Sequence, residues 1–440
     1  MNIIDLLSRW VSDPKNKTLG KRTSDYSKSD YHYFIEIVRY SNQIRFIANK
    51  TRRSIPEHRK LEIGYYLYFV YRYFWEKGSY EEIIADINHE ISSEDKKTLL
   101  AFYNRLLTWD WDISFQNKSR IEVLSIKYAS PTFFIQKLLP VLDYRQIQQN
   151  IVAMDQRSRK GTIYLRINDL KKSDNEIIDG KDFFINYFDK KGVRLKSVEN
   201  YPLLLQVKVR DKMKIVTDSY YKQKNLLFQE KASVASVYLL EPQSGEIIAD
   251  LCAAPGTKTS LVSQMLTGES TIIAGDYHHQ RMNDMVTFLP SLGINDVHTI
   301  QWDGIQPPLM EESVDRILLD APCTGSGTFT SNPELKWRQS DKFLRRNVLL
   351  QHELLKAAIR LLKVGGTLVY STCSLYPEEG EYQIQKLINS SKKQVTLTSV
   401  PSWLPPSYKI NGSYIEGAGR FLPSEHNTIG FFVAKLIKNK

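Results

Sequence analysis

From about Phe228 to the C-terminus, five short apolar runs recur with room for a helix between each pair: Ile247–Leu251, Thr271–Gly275, Asp296–Gln301, Val314–Leu319 and Gly366–Thr372. Strands buried on both faces read as such runs, because neither face keeps a polar residue for solvent. Their alternation with helical segments predicts an α/β domain with a doubly wound, mostly parallel sheet. A last apolar strand, Gly430–Leu436, closes the chain. In open sheets of this kind ligands bind beyond the carboxyl ends of the strands, so the residues that follow each run carry the functional information.

The first run leads into Asp250-Leu251-Cys252-Ala253-Ala254-Pro255-Gly256-Thr257-Lys258-Thr259. Small residues let a backbone approach a ligand closely. The loop is neither a G-x-G-x-x-G turn nor a phosphate-binding P-loop, since Thr257 stands where the second P-loop glycine belongs. The second run ends at Asp276, about 20 residues past the glycine turn, where an acidic side chain can bind ribose hydroxyls. Asp303-Gly304 follows the third. Each aspartate alone is equally well a turn residue. At successive strand ends they predict an adenosine-type pocket.

The fourth run ends Asp320-Ala321-Pro322-Cys323 and the fifth Tyr370-Ser371-Thr372-Cys373-Ser374. The chain has three cysteines in all, Cys252 being the other, and none pair as C-x-x-C. Neither a disulfide framework nor a zinc site is expected. A free cysteine is ordinarily a small buried hydrophobe. Two at equivalent strand ends, however, would face one cleft if those strands are neighbours. A thiolate adding to carbon 6 of cytosine makes carbon 5 nucleophilic toward an electrophilic methyl, which divides one hard step into two. A carboxylate at ring nitrogen 3 would assist, and a second thiol could help expel the enzyme afterwards. The nucleophile needs nearby positive charge, for which Lys258 is a candidate. Which thiol attacks is left open by position alone.

Residues 1–128 read as helical. Ser92-Ser93-Glu94-Asp95 is a capping-box pattern ahead of Leu99, Phe102, Tyr103 and Leu106 on one face. The Tyr65–Trp75 run predicts a buried helix with core tyrosines. Ser130 as N-cap and Pro131 at N1 mark a boundary and a new helix. A strand over 162–167, a helix around Asp182–Phe188, and strands at Val193–Lys196 and Leu203–Val209 predict a small α/β module over 129–227. The formal net charge is +11, and residues 129–225 hold 19 Lys and Arg against 11 Asp and Glu. Arg157, Arg159, Lys160, Lys190, Lys191, Arg194, Lys196, Lys208, Arg210, Lys212 and Lys214 recur there. A basic face is often only a solvated surface, but this concentration predicts a grip on nucleic-acid phosphates. Trp10 is soon followed by Asp13, Lys15 and Lys17, which argues against a secretory signal. The apolar stretch Tyr65–Tyr71 is far shorter than the ~20 residues that span a bilayer. A cytoplasmic monomer with no membrane or metal partner is expected.

The segments DLCAAPGTKT, DAPCTGSGT, NPELKW, YSTCSLYPEEGE and GFFVAKL resemble the Sun/Nol/Nop (RsmB-like) family of RNA 5-methylcytosine methyltransferases. The resemblance covers Phe228 to the C-terminus. In weaker form, through LRIN and DLKKS, it reaches back to about Ser130. It implies a Rossmann-like class I methyltransferase domain over 228–440, an RRM-like module over 129–227 and a NusB-like helical domain over 1–128. It also implies S-adenosylmethionine as cofactor and RNA as substrate, ribosomal RNA first and tRNA second. By position, it makes Cys373 the nucleophile and gives Cys323 a part in product release. Asp320 and Lys258 line the reacting site. The cofactor contacts implied are Cys252, Ala253, Ala254, Pro255, Gly256, Thr257, Lys258, Asp276, Arg281, Asp303 and Asp320. The target base would have to leave its stack to be reached.

The chain departs from the family pattern at Thr257, where glycine is usual, and at Thr330-Ser331, where a basic residue often precedes Asn332. It departs again at Ile429, where aspartate is common. Three other classes fit less well. A DNA cytosine-5 methyltransferase does not need a cysteine at the end of the fifth run. A nicotinamide oxidoreductase needs G-x-G-x-x-G. A non-catalytic ribosome-assembly protein could lose Cys373, Lys258 or Asp320, and all are present.

Overall fold

The computed structural model describes residues 2–12, 27–87, 91–171, 180–390 and 394–439. Asp13, Lys15 and Lys17, with Lys172 and Ser173 of the DLKKS stretch, lie outside them, as does the side chain of Arg159. The chain forms two compact units, residues 1–140 with 332–339, and residues 141–331 with 340–440.

The first unit is helical. The aromatic run forms the helix Ile63–Glu76 and buries Tyr66, Tyr68 and Tyr71, so these rings are core. Ser92 caps the helix Ser93–Leu106 by accepting the Asp95 N–H, and Leu99, Phe102 and Leu106 are buried on its inner face. The helix expected to start with Ser130 as cap instead has Pro131 at the cap position and runs Thr132–Leu138. Ser130 is drawn inward, where its carbonyl accepts from Ser125 Oγ at 2.5 Å and Asn42 Nδ2 at 3.3 Å.

The second unit holds two sheets. The smaller contains β1 (Thr162–Ile167), β2 (Lys196–Val198), β3 (Tyr201–Lys208) and β4 (Leu226–Phe228) in the order β2-β3-β1-β4. The helix Gly180–Lys190 follows β1, and the short helices Lys212–Val216 and Ser219–Lys222 precede β4. This is the β-α-β-β-α-β path of a split βαβ module. Two expectations need correction. The second strand begins at Lys196, not Val193: Val193 and Leu195 fill the core, but pairing starts at Lys196 opposite Gln206. The sheet also has the fourth strand, Leu226–Phe228, which pairs with β1 and was not foreseen.

The larger sheet contains β5 (Ile247–Asp250), β6 (Thr271–Asp276), β7 (Val297–Gln301), β8 (Val314–Asp320), β9 (Leu362–Thr372), β10 (Val395–Leu397), β11 (Ala418–Phe421) and β12 (Phe431–Lys438). Its order is β10-β12-β9-β8-β5-β6-β7, with β11 beside β12. Strands β5 to β9 run parallel, and β12 is antiparallel to β9. Successive residues serve opposite faces. Leu318 and Val369 join one core cluster, while Leu319 and Tyr370 join the other. From β5 the chain winds outward to β6 and β7, then returns to β8 on the other side. The topological switch point, where ligands collect in such sheets, therefore lies between β5 and β8. Among the described residues no helix is long and apolar enough to cross a membrane. Nor does any group of three or more His, Cys, Asp or Glu there suit a metal ion.

Candidate active site

The three cysteines follow three neighbouring strands, Cys252 after β5, Cys323 after β8 and Cys373 after β9. Because β8 and β9 are adjacent and parallel, the last two meet: Cys373 Sγ and Cys323 Sγ are 3.2 Å apart and both are free thiols. Backbone bonds fix the approach. Ala321 N–H donates to Ser371 O at 2.9 Å, and Gly327 N–H donates to Cys373 O at 3.0 Å. The bond to its neighbour's sulfur, then burial, pushes the Cys323 thiol well above the usual range. Burial, with the carboxylates of Asp250, Asp276 and Asp320, does the same to Cys252, so that thiol stays protonated.

Asp320, the last residue of β8, sits beside this pair in the sequence and is held from both sides. Lys258 Nζ donates to Asp320 Oδ2 at 2.6 Å, and Ser371 Oγ donates to Asp320 Oδ1 at 2.7 Å. Lys258 comes from the first turn of the helix Thr257–Met265, which starts directly after Gly256. Gly256 takes φ 96°, a left-handed conformation that lets the loop turn into the helix without a Cβ. Thr257 itself is the first helical residue, so its extra Cβ sits on ordinary helical backbone. Lys258 is directed at Asp320, and among the described residues it makes no hydrogen bond to either thiol.

Asp276 closes the other side. Its carboxylate accepts Ala254 N–H at 3.2 Å and His278 N–H at 3.1 Å, with Arg281 Nη1 at 3.3 Å. Arg281 also donates to Ala254 O, so it ties the helix after β6 to the loop Cys252–Gly256. Ala253 N–H donates to Gly275 O at 2.9 Å. Trp302 underlies this strand end so closely that a Cβ on Gly275 would lie 2.1 Å from its ring. Asp303 is exposed, and its carboxylate accepts the Ile305 N–H, the turn role open to any such aspartate. The loop Cys252–Gly256, Asp276 and Asp320 thus rim the carboxyl ends of β5, β6 and β8.

Several residues behind the site escaped the strand-end reading. Glu379 is fully buried and accepts the backbone N–H of Thr324 at 2.9 Å, the Thr324 hydroxyl, and Gln351 Nε2 at 3.0 Å. Burial raises its pKa. Glu381 pairs with buried Arg420, whose guanidinium donates to Ser374 O and lies between the rings of Tyr408 and Phe432. One glutamate therefore holds the loop of Cys323 and the other, through Arg420, the residue after Cys373. The signal was the acidic stretch Pro377–Glu381 directly after a buried strand, although glutamates in such a run ordinarily face solvent. Gly327 and Gly430 complete the brace: Gly430 N–H donates to Gly327 O, and a Cβ on Gly327 would lie 1.9 Å from Gly430 O.

The sheet order, the small-residue loop after β5 and the acidic end of β6 define the class I methyltransferase fold. The family described as 16S rRNA methyltransferase RsmB/F matches residues 237–437, and the chain belongs to that family. It is 30% identical over 315 residues to ribosomal RNA small subunit methyltransferase B of Escherichia coli, covering 71% of this chain and 67% of the relative. It is 40% identical over 205 residues to a probable ribosomal RNA small subunit methyltransferase B of Synechocystis, 46% of this chain and 45% of the relative. A human 28S rRNA (cytosine(4447)-C(5))-methyltransferase is 31% identical, over 72% of this chain and 38% of that protein. The chain thus spans less than half the length of these last two relatives. The solved structure of PH0851 aligns with a TM-score of 0.74 at 28% identity, covering 93% of this chain and 90% of that one.

Proposed function

We propose that this protein methylates carbon 5 of a cytosine in ribosomal RNA, with S-adenosylmethionine as donor and Cys373 as covalent nucleophile. The observation that carries the reading is the pair of free thiols 3.2 Å apart at the ends of β8 and β9. The Lys258–Asp320 ion pair stands at the end of one of those strands. Family membership supports the substrate class.

The residues present fit the donor. The loop Cys252–Gly256 is built of small residues at the strand ends, and Asp250 Oδ1 is buried with no hydrogen-bond partner among the described residues. Asp276 spends one lone pair on each of two backbone N–H groups and keeps others for ribose hydroxyls. When bound, the donor supplies an electrophilic methyl. The protein's part begins with Cys373 Sγ, which as thiolate adds to carbon 6 of the ring. A proton delivered at nitrogen 3 from the Lys258–Asp320 pair offsets the charge that develops there. Carbon 5 then takes the methyl. A base removes the carbon 5 proton, the bond between carbon 6 and Cys373 Sγ breaks with its electron pair leaving on sulfur, nitrogen 3 gives its proton back to the Lys258–Asp320 pair, and the aromatic ring returns. Cys323, whose thiol is kept protonated, is placed to return a proton to the departing Cys373 sulfur. The helical residues 1–128 and the RRM-like module over 129–227 are assigned to RNA docking.

In a methylation assay on rRNA transcripts, Cys373→Ala leaves no 5-methylcytosine above background. Cys323→Ala accumulates a covalent protein–RNA band on a denaturing gel, and that band disappears in the double variant. Full activity of Cys373→Ala would overturn the mechanism. Bisulfite sequencing of total RNA with and without the protein locates the target base.

A further inference from the structure

An RRM ordinarily binds single-stranded RNA on the face of its sheet opposite the helices. Here most of that face is already occupied. Tyr164, Tyr201 and Leu204 point away from the module's own helices and pack into the methyltransferase core with the helix Lys231–Leu240. That helix is buried nearly all round, as expected of one packed on several sides. Arg166, 1% exposed, reaches across to donate to Ser260 Oγ at 2.7 Å and Thr257 O at 3.1 Å. Asn168 Nδ2 donates to Leu292 O at 3.1 Å. The half of the face that would stack bases is closed.

The other end of the same sheet is open. Beyond Leu204, the alternate residues of β3 are Gln206 and Lys208, paired with Lys196 and Thr162 respectively. With Arg194, Arg210 and Asn427 they line a groove of about 670 Å³. Arg194, Lys196, Lys208 and Arg210 are exposed. Among the described residues no carboxylate pairs with Arg194, Lys196 or Lys208; the groove wall carries two acids, Asp189 and Asp211, and Asp211 lies near Arg210 and Lys214. The groove is also tied to the reacting site through the backbone. Asn427 O accepts the Tyr164 hydroxyl at the groove, and three residues on Gly430 binds Gly327, whose N–H is bonded to Cys373 O. Three residues of chain reach at most about 11 Å.

We infer that this groove holds the phosphates of a single-stranded RNA segment next to the target cytosine, in place of the stacking face that the methyltransferase core has taken. The inference rests on the RNA methyltransferase reading and adds where the strand runs. Cations on an open rim contact phosphates without reading sequence, so this surface sets register and leaves base choice to the active site.

The test uses the full chain carrying Cys373→Ala, so that no covalent adduct confuses binding, and a fluorescent 20-nucleotide oligouridylate as probe. Replacing Arg194, Lys196, Lys208 and Arg210 by glutamine weakens binding at least about tenfold near physiological salt. It also lowers the slope of log K against log salt by about 2 to 3, at about 0.7 per lost phosphate contact. Lys356→Gln with Arg360→Gln, exposed on a helix that does not line the groove, leaves affinity within about twofold. An unchanged affinity and slope in the fourfold variant overturns the inference, as does an equal loss in the control pair. Should the fourfold variant unfold, R194Q/K196Q and K208Q/R210Q each show about half the slope change. Groove-dependent binding by a chain whose Cys373-intact form makes no 5-methylcytosine would sink the enzymatic reading instead.

Discussion

The two sheets of the second unit use their surfaces in opposite ways. The large parallel sheet buries both faces and works at its carboxyl edge, where the ends of β5, β6, β8 and β9 and the loops after them bring three thiols, Lys258, Asp250, Asp276 and Asp320 into one neighbourhood. The small antiparallel sheet buries one face on its own helices and most of the other on the methyltransferase core. What it keeps for a ligand is one end of a face. Parallel strands connected by helices free their ends for chemistry, whereas a sheet recruited as a packing surface loses the face that its topology would otherwise offer.

The largest effect that would sharpen this comparison, beyond the thiol substitutions, comes from Gly327→Ala. It removes no reactive group, but its Cβ would collide with Gly430 O and move the strand-end loops against each other. A displacement of about 1 Å at a reacting centre costs about 10²-fold in rate. Methylation kinetics should show that loss with the fold intact by circular dichroism, and activity near the parent level would mean the loops adjust freely. A middle-sized effect probes the closed face of the small sheet. Arg166→Leu keeps an apolar stem but deletes both bonds to the helix that carries Lys258. Chemical unfolding should report a loss of about 1–3 kcal/mol, the range for stranding buried polar partners, with Arg166→Lys recovering part. No change would show that the face is held by apolar packing alone.

The smallest effect is one of pH. Asp250, fully buried at the end of β5, has its pKa pushed up to about 7 by desolvation, against the bond from Thr259 Oγ1. An unfolded aspartate titrates near 3.9. The folded form therefore binds the proton more tightly, and the stability this contributes is full below about pH 4 and lost as pH rises through about 7. Asp250→Asn should flatten that part of the stability profile. Parallel profiles for parent and variant between pH 5 and 8 would refute it.

The same contrast explains what could be read in advance. The strands of the large sheet were legible because burial on both faces leaves continuous apolar runs, and the position of Cys323 and Cys373 at equivalent strand ends followed from those runs, whereas the pairing of β8 with β9 came only with the fold. The fourth strand of the small sheet was not, since Leu226-Leu227-Phe228 is too short to show a period. Arg166 was read as part of the strand over 162–167 and of the LRIN stretch; its burial depends on a partner helix about 90 residues away, which no local pattern records. Glu379 and Glu381 stood in the YSTCSLYPEEGE segment with no role attached, and only the fold puts Thr324 and Arg420 opposite them.

One feature of the first unit bears on how such a protein can be divided. Between Ser331 and Ser340 the chain leaves the second unit, and the Asn-Pro-Glu-Leu-Lys-Trp stretch packs within the helical one. There Lys336, 5% exposed, donates to Arg39 O and Ala129 O, while Trp337 Nε1 donates to Val38 O. Deleting the first 140 residues would strip the Lys336 ammonium and the Trp337 indole of these acceptors and uncover both. The helical unit is thus stitched to the rest by more than one thread, and a gene fragment that begins at the apparent domain boundary encodes an incomplete object.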